Sequence, residues 1–273
     1  MDDFSLEMTG KDVENLHAAR DSIPPGTRIN VTFLGNEDLE MRLAAARAAR
    51  AHGFVPVPHI SARRLGSSEM LEEFLAGLRD AGACENAMVV AGDPATPEGP
   101  YEDLMSLIRC GLLERYGVRH VSVSGYPDGH PALDERALWS AFDEKFAALA
   151  QRRLAGSVLT QFGFDVDPVV TWIEAVRGRG VDAPIRVGVP GPAGVKRLLS
   201  YAKRFGVGTG ATIAKKYGLS LTSLMSTAGP DRFIRELADR YDAGRHGEVK
   251  LHFYTFGGLQ ATSEWIADFR TAG

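Results

Sequence analysis

Ala87 to Pro94 reads AMVVAGDP, a run of small and apolar residues that ends in Gly92 and then a carboxylate, Asp93. A short apolar run bounded by turn residues is the pattern of a strand buried on both faces, as in a parallel sheet. Gly92 lets the backbone turn, which leaves Asp93 at the carboxyl end of that strand. The same rhythm recurs along the chain: a buried run, a polar or turn-forming residue, then a helical segment. Chains with that rhythm form α/β folds whose chemistry sits at the carboxyl ends of the strands.

Upstream, Phe4–Thr9 (FSLEMT), Arg28–Gly35 (RINVTFLG, ending near Thr32) and Phe54–Ile60 (FVPVPHI) read as three further strands. A carboxylate inside an apolar strand, as Glu7 is, ordinarily points to solvent. Asn36 or Asp38 is placed to cap the Ala- and Arg-rich helix that runs to His52. Pro56 and Pro58 are awkward for a central strand, so the third strand is expected to be short and to open into a loop carrying His59, Arg63 and Arg64. A histidine beside two arginines at a strand end suits an anion.

Downstream, a helix is expected over Tyr101–Arg115. Strands follow at His120–Pro127, Gly156–Phe164, Ile185–Gly191 and Val249–Thr255, with helices over Asp134–Leu154, Asp165–Gly178, Ala193–Phe205 and Gln260–Arg270. Between Gly206 and Gly247 the pattern is helical without a clear strand, an insertion before the last strand. Eight strands, each followed by a helix, imply an α/β fold, a single (β/α)8 (TIM) barrel spanning residues 1–273 as one domain.

The chain has 273 residues, 44% hydrophobic and 24% charged, with a formal net charge of −4. No concentrated basic footprint points to nucleic acid or an anionic membrane. Cys84 and Cys110 are the only cysteines, with no CxxC and no histidine at ligand spacing, so no disulfide framework and no metal site are expected. Met1–Gly10 lacks a signal-peptide pattern and no apolar run is long enough to span a bilayer; the expectation is a cytoplasmic protein. Gly206, Gly208 and Gly210 resemble a nucleotide loop but follow a helix rather than a strand, which excludes a Rossmann site. No serine sits in GxSxG.

A barrel would collect Glu7, Thr32, His59, Asp93, Tyr126, Gln161 and the Pro190-Gly191 turn at the carboxyl ends of its strands. Two carboxylates, an amide, a phenol and an imidazole can do acid–base work on a polar heterocycle.

Gly92-Asp93, Tyr126-Pro127 with Gly129-His130-Pro131, Thr160-Gln161 with Phe164-Asp165, Pro190-Gly191 and Phe253-Tyr254-Thr255 together resemble the methylenetetrahydrofolate reductase family, in order and near its spacing over nearly the whole chain. The resemblance implies a barrel that uses FAD and NADH or NADPH to reduce 5,10-methylenetetrahydrofolate to 5-methyltetrahydrofolate. It implies Glu7 as general acid in opening the folate's five-membered ring, Asp93 as the pterin partner, and Gln161 and Phe205 as folate contacts. It puts Thr32, His59, Gly92, Asp93, Tyr101, Tyr126, His130 and Asp143 at the flavin. This chain departs from the family at Ala91, where Arg-Gly-Asp has become Ala-Gly-Asp. It departs again at Phe146, Leu149 and Ala150, which replace polar or cationic flavin contacts, and at Gly257-Gly258, which replace the last strand's polar exit. These losses weaken the flavin more than the folate. Arg63 and Arg64 are the candidates to supply replacement charge. A pterin-binding methyltransferase barrel would also use Asp93 and Gln161, but not Glu7 as a proton donor. A non-catalytic folate-binding accessory subunit is the remaining alternative; retention of both Glu7 and Asp93 speaks against it, since a pure binder has little use for a proton donor. Oligomeric state is left open, a homo-oligomer being compatible with the sequence.

Overall fold

Alternation along the first strand sets the architecture. Leu6 and Met8 are fully buried while Glu7 between them is half-buried, the period-two pattern of a strand with helices on one side. The computed structural model describes residues 2–207 and 227–271, with 205, 227 and 228 described by backbone alone. Its strands are β1 Ser5–Met8, β2 Arg28–Val31, β3 Val55–Ser61, β4 Asn86–Val90, β5 His120–Gly125, β6 Ala155–Thr160, β7 Ile185–Pro190, β8 Ala193–Gly194, β9 Thr227–Ala228 and β10 Val249–Tyr254. Helices α1 Val13–Ala19, α2 Leu39–Ala51, α3 Ser68–Asp80, α4 Leu104–Arg109, α5 Leu112–Arg115, α6 Glu135–Gln151, α7 Val166–Gly178 and α8 Val195–Phe205 alternate with them. Asp231–Arg240, Ala243–His246 and Leu259–Thr271 are also helical. The eight long strands form a closed barrel in the order β1–β10–β7–β6–β5–β4–β3–β2, the (β/α)8 architecture expected from the sequence.

The chain's contacts divide it into two compact units. One comprises Ser5–Ser124 and Phe142–Ser157. Within it β1, β2, β3 and β4 pair in parallel, in registers that set Glu7 opposite Asn30 and Asn30 opposite Val57. Asp38 and Ser67 cap α2 and α3, their side chains accepting from the N–H groups of Met41 and Met70. Leu71, Phe74, Leu75 and Leu78 form the buried stripe of α3 at helical spacing. Gly77 lets α3 approach α2, because a Cβ there would stand 2.8 Å from Leu43 Cδ1.

Two expectations are corrected in this unit. β3 is not a short strand opening into a loop; it is seven residues long and His59 lies inside it. The Val55 N–H donates to the Thr27 carbonyl on the β2 side at 3.0 Å. Alternation then turns the nitrogens of Pro56 and Pro58 toward β4, whose pairing with β3 begins only at His59. The missing donors therefore fall where no ladder bond is asked of them. Arg63 and Arg64 sit in the single 3-10 turn that follows, Ala62–Arg64. The Tyr101–Arg115 helix is in fact two, α4 and α5, broken at Gly111 with φ +82°.

The other unit comprises the described residues of Met1–Phe4, Gly125–Ala141 and Val158–Gly273. β7 is buried throughout and pairs in parallel with β10, setting Gly188 opposite His252. Arg186, 8% exposed, is held by the Asp3 carbonyl at 2.7 Å and the Asp3 carboxylate at 2.9 Å. The insertion is not purely helical: β8 pairs antiparallel with β9. Gly208 and Gly210 of the rejected nucleotide loop lie outside the described residues.

Gly188 donates its N–H to Thr160 Oγ1 at 2.8 Å. A Cβ at Gly188 would lie 2.5 Å from the Thr160 carbonyl oxygen and 2.7 Å from Tyr254 Cε2. Backbone cannot give way as a side chain can, so Gly188→Ala is expected to destabilise the fold by about 1–3 kcal/mol. Urea unfolding should show a lower midpoint at unchanged slope; an unaltered midpoint would contradict the packing described.

Candidate active site

In the unit built on β1–β4, Glu7 projects from β1 beside the loop that Asp12 organises. The Asp12 carboxylate accepts from the Thr9 N–H at 2.9 Å, the Thr9 hydroxyl at 2.7 Å and the Asn15 amide at 2.8 Å. Burial pushes the Glu7 carboxyl up to about 7; the His59 imidazole opposes that rise and the Asp12 charge adds to it. A carboxyl in that range carries a proton near neutrality and can still give it up, as a general acid requires. His59 Nε2 lies 3.3 Å from Asn30 Oδ1, and Asn30 is only 3% exposed. Asn30 thus orients the ring, a role the sequence reading missed. Its one signal was a polar residue two positions before Thr32, flanked by the apolar Ile29 and Val31.

Asp93 and Gly92 follow β4. Gly92 has φ +98°, and a Cβ on it would meet Ser61 Oγ at 2.2 Å, so both conformation and space demand glycine. Arg64 donates from Nε at 2.8 Å and from Nη2 at 2.6 Å to Asp93 Oδ1. The Arg64 side chain is 17% exposed against 74% for Asp93, so a settled cation holds an accessible anion. Both bonds fall on one oxygen, which leaves Oδ2 as an acceptor for a ligand's N–H. Arg64 also lies 5.6 Å over the Phe33 ring, and a Cβ on Gly35 would stand 2.5 Å from its guanidinium. Arg42, 3.5 Å over the same ring, is buried, and desolvation lowers its guanidinium to about 10 against the support of Glu37 and Asp38.

Arg63 is engaged elsewhere, donating to the carbonyls of Glu102 at 2.8 Å and Pro94 at 3.4 Å. Thr32 donates its hydroxyl to the Met8 carbonyl at 3.2 Å. Tyr101 is buried, its hydroxyl donating to Ser68 Oγ at 3.2 Å, and burial raises its phenol. The hydroxyls of Thr32 and Tyr101 thus turn to Met8 and Ser68 rather than to Glu7, His59 or Asp93. Asp143 is exposed on α6.

In the other unit, Gln161 follows β6. Its N–H donates to the Gly125 carbonyl at 2.8 Å, and its Oε1 accepts from the Phe162 N–H at 3.2 Å. The Tyr126 and His130 rings meet edge to face at 5.1 Å. Tyr254 donates its hydroxyl to the Thr160 carbonyl at 3.0 Å. Phe162 makes edge contacts with Tyr254 at 5.4 Å and Phe256 at 5.1 Å. In the sequence both read as ordinary core, Phe162 within the expected strand Gly156–Phe164 and Phe256 just past the expected strand Val249–Thr255. The side chain of Phe205 lies outside the described residues. Among the described residues no group of three His, Cys, Asp or Glu could hold a metal ion, and no helix is long and apolar enough to cross a membrane.

The family profile described as methylenetetrahydrofolate reductase matches residues 6–268. The chain belongs to that family. Methylenetetrahydrofolate reductase 2 of Saccharomyces cerevisiae is 26% identical over 218 residues, 74% of this chain and 35% of that protein. Methylenetetrahydrofolate reductase 1 of Schizosaccharomyces pombe is 26% identical over 205 residues, 69% of this chain and 31% of that protein. The chain therefore spans about a third of the length of these relatives. A Clostridium thermocellum protein described as binding two copies of 5-methyl-5,6,7,8-tetrahydrofolic acid superposes with a TM-score of 0.58 at 10% identity, over 99% of this chain and 95% of that one. Dihydropteroate synthase of Thermus thermophilus, in complex with 6HMPPP, gives 0.50 at 15% identity, over 98% and 92%. At such identities the likeness concerns the fold alone.

The raised Glu7 carboxyl has a consequence for stability. Its folded value, about 7, lies above its ordinary 4.5, so the native state holds this proton more tightly than the unfolded chain does. The associated stability is present in full below the ordinary value and is lost as pH climbs to the folded value. Glu7→Gln, which cannot ionise, should be near-neutral at about pH 4 and more stable than the parent by ~1–3 kcal/mol at about pH 8. Paired urea titrations at both pH values test this; equal stability differences would refute the desolvated carboxyl.

Proposed function

We propose that the chain reduces 5,10-methylenetetrahydrofolate to 5-methyltetrahydrofolate, with Glu7 as general acid and hydride supplied by a reduced nicotinamide. The observation that carries the reading is the Glu7 carboxyl, raised to about 7, at the position of the family's acid in a chain whose residues 6–268 match that family. Protonation of the folate's N10 by Glu7 lets the N10–methylene bond break and leaves an iminium cation at N5. Hydride addition to the methylene carbon completes the methyl group, and the nicotinamide leaves oxidised. Asp93 accepts from the pterin through Oδ2, and its negative charge favours the cationic intermediate. Gln161 is the glutamine that the family resemblance assigns to the folate.

The family uses FAD together with NADH or NADPH, and a bound flavin would relay the hydride. The residues here do not fit that group. Its pyrophosphate needs cations, and the carried-over positions offer Ala91, Leu149 and Ala150. The arginines that could have replaced them are engaged, Arg64 with Asp93 and Arg63 with two backbone carbonyls. The hydroxyls of Thr32 and Tyr101 already donate within the protein. Each lost charge-assisted bond costs about 1.5–3 kcal/mol, so two amount to 10²-fold or more in affinity. The reading therefore takes the hydride directly from the nicotinamide, with both substrates bound together.

Two measurements test the proposal. Glu7→Gln should retain folate binding and lose about 10²-fold or more in kcat, the usual scale for a positioned acid; full reductase activity in that variant would remove the assignment. Protein stripped of flavin should remain active and give intersecting initial-rate lines. Parallel lines with strict dependence on added FAD would restore the flavin.

A further inference from the structure

Gly35 is exposed in the turn after β2, and its backbone lies outside the left-handed region that favours glycine. Its conformation does not call for glycine, but its surroundings do. A Cβ there would stand 2.5 Å from Arg64 Nη1, 2.6 Å from Nη2 and 2.8 Å from Cζ. The Arg64 guanidinium therefore fills the volume that any other side chain at position 35 would take. The turn that leaves this space is closed by Glu37. Its N–H donates to the Leu34 carbonyl at 3.1 Å, and its Oε2 accepts from the Leu34 N–H at 3.2 Å. Glu37 is buried, so the closure is fixed from inside the unit built on β1–β4.

Phe33 supplies the second support. Arg64 Cζ lies 5.6 Å from its ring centroid and Arg42 Cζ lies 3.5 Å from it. Arg42 also lies 4.7 Å over the ring of Phe74, a buried residue of α3, and donates from Nε to the Asp38 carbonyl at 3.4 Å. Arg42 is itself buried, so it ties Phe33 to α2 and α3. The half-buried Phe33 ring is thereby held still where a second guanidinium can rest on it.

From this position Arg64 reaches Asp93, with Nε at 2.8 Å and Nη2 at 2.6 Å, both on Oδ1. A carboxylate oxygen has room for about two hydrogen bonds, so Oδ1 is filled and a ligand donor is left with Oδ2. The Asp93 side chain is 74% exposed and is otherwise free to turn about its own bonds. Where Oδ2 points thus follows from where the guanidinium lies, and that is set by residues at the end of a different strand.

We propose that the turn 33–37 is a positioning element for the pterin: the space at Gly35 and the ring of Phe33 seat Arg64, and the seated Arg64 presents Asp93 Oδ2 to the ligand's N–H. The inference rests on the folate reading given above, and the experiment separates the two.

Equilibrium binding of 5-methyltetrahydrofolate to the full chain is measured for the parent, Gly35→Ala, Arg64→Leu and the double variant, with urea unfolding of each. Gly35→Ala should bind about tenfold more weakly, the scale of one charge-assisted hydrogen bond lost. Its urea midpoint should not fall, because the position is exposed, its backbone suits alanine and the end of Arg64 can swing away. Arg64→Leu should lose as much affinity, and the double variant no more than either single one. Gly66→Ala, whose Cβ would meet nothing closer than Met70 Cε at 3.7 Å, should bind as the parent does. Should Gly35→Ala lower the midpoint, Phe33→Leu takes its place; the weakened binding expected there should be absent in Phe33→Tyr, which keeps the ring. Parent-like affinity in Gly35→Ala, or an equal further loss when it is added to Arg64→Leu, would overturn the seat while leaving the pterin site standing. If the parent does not bind the folate, the folate reading fails. The Arg64 Nε–H signal of nitrogen-15 arginine-labelled protein, assigned by its absence in Arg64→Leu, then decides the seat. A heteronuclear NOE that drops in Gly35→Ala and Phe33→Leu supports it, and one equal to the parent's overturns it.

Discussion

Withdrawal of the Glu7 carboxyl from water is the physical constraint on which the proposed reaction depends. A strand gives its residues two directions only. On β1, Leu6 and Met8 take the buried side, and Glu7 is committed to the other. Ionising Glu7 there costs free energy that the His59 imidazole only partly offsets. The proton is therefore retained to near neutrality.

The two carboxylates of the candidate site sit in different surroundings. Glu7 is raised by burial, whereas Asp93 is exposed and held by a guanidinium. The first is suited to delivering a proton, and the second offers an accessible oxygen to a ligand's N–H. Their environments come from different local devices, a half-buried strand position for Glu7 and a tight turn at Gly92 for Asp93. The Arg64–Asp93 pair is exposed on one side and its contribution to stability is small. Its value is geometric, because two donors on one oxygen orient the other.

Arg64, reaching Asp93 from the turn after β3, places positive charge beside that aspartate in a form already neutralised by the pairing. The same atoms cannot also neutralise a pyrophosphate. On α8, Lys196, Arg197, Lys203 and Arg204 share a helix that contains no acid.

Strand positions and fold class were legible in the sequence because burial on both faces leaves an uninterrupted apolar run, and turn residues mark where each run stops. Eight such runs placed Glu7, His59, Asp93 and Gln161 at or near strand ends within a residue or two. Reading β3 as short failed because proline's cost depends on which side of the strand its nitrogen faces, a fact of register rather than composition. The break at Gly111 and the β8–β9 pair escaped for the same kind of reason, one resting on a backbone dihedral and the other on a partner more than thirty residues away. The sequence by itself determined the barrel and the residue types at its strand ends. Only the tertiary structure decided their states: that Glu7 is desolvated, that Asn30 orients His59, and that Arg64 is bound to Asp93. Those states are set by distances between residues far apart in sequence, and by how much water each is denied, quantities that exist only once the chain has folded.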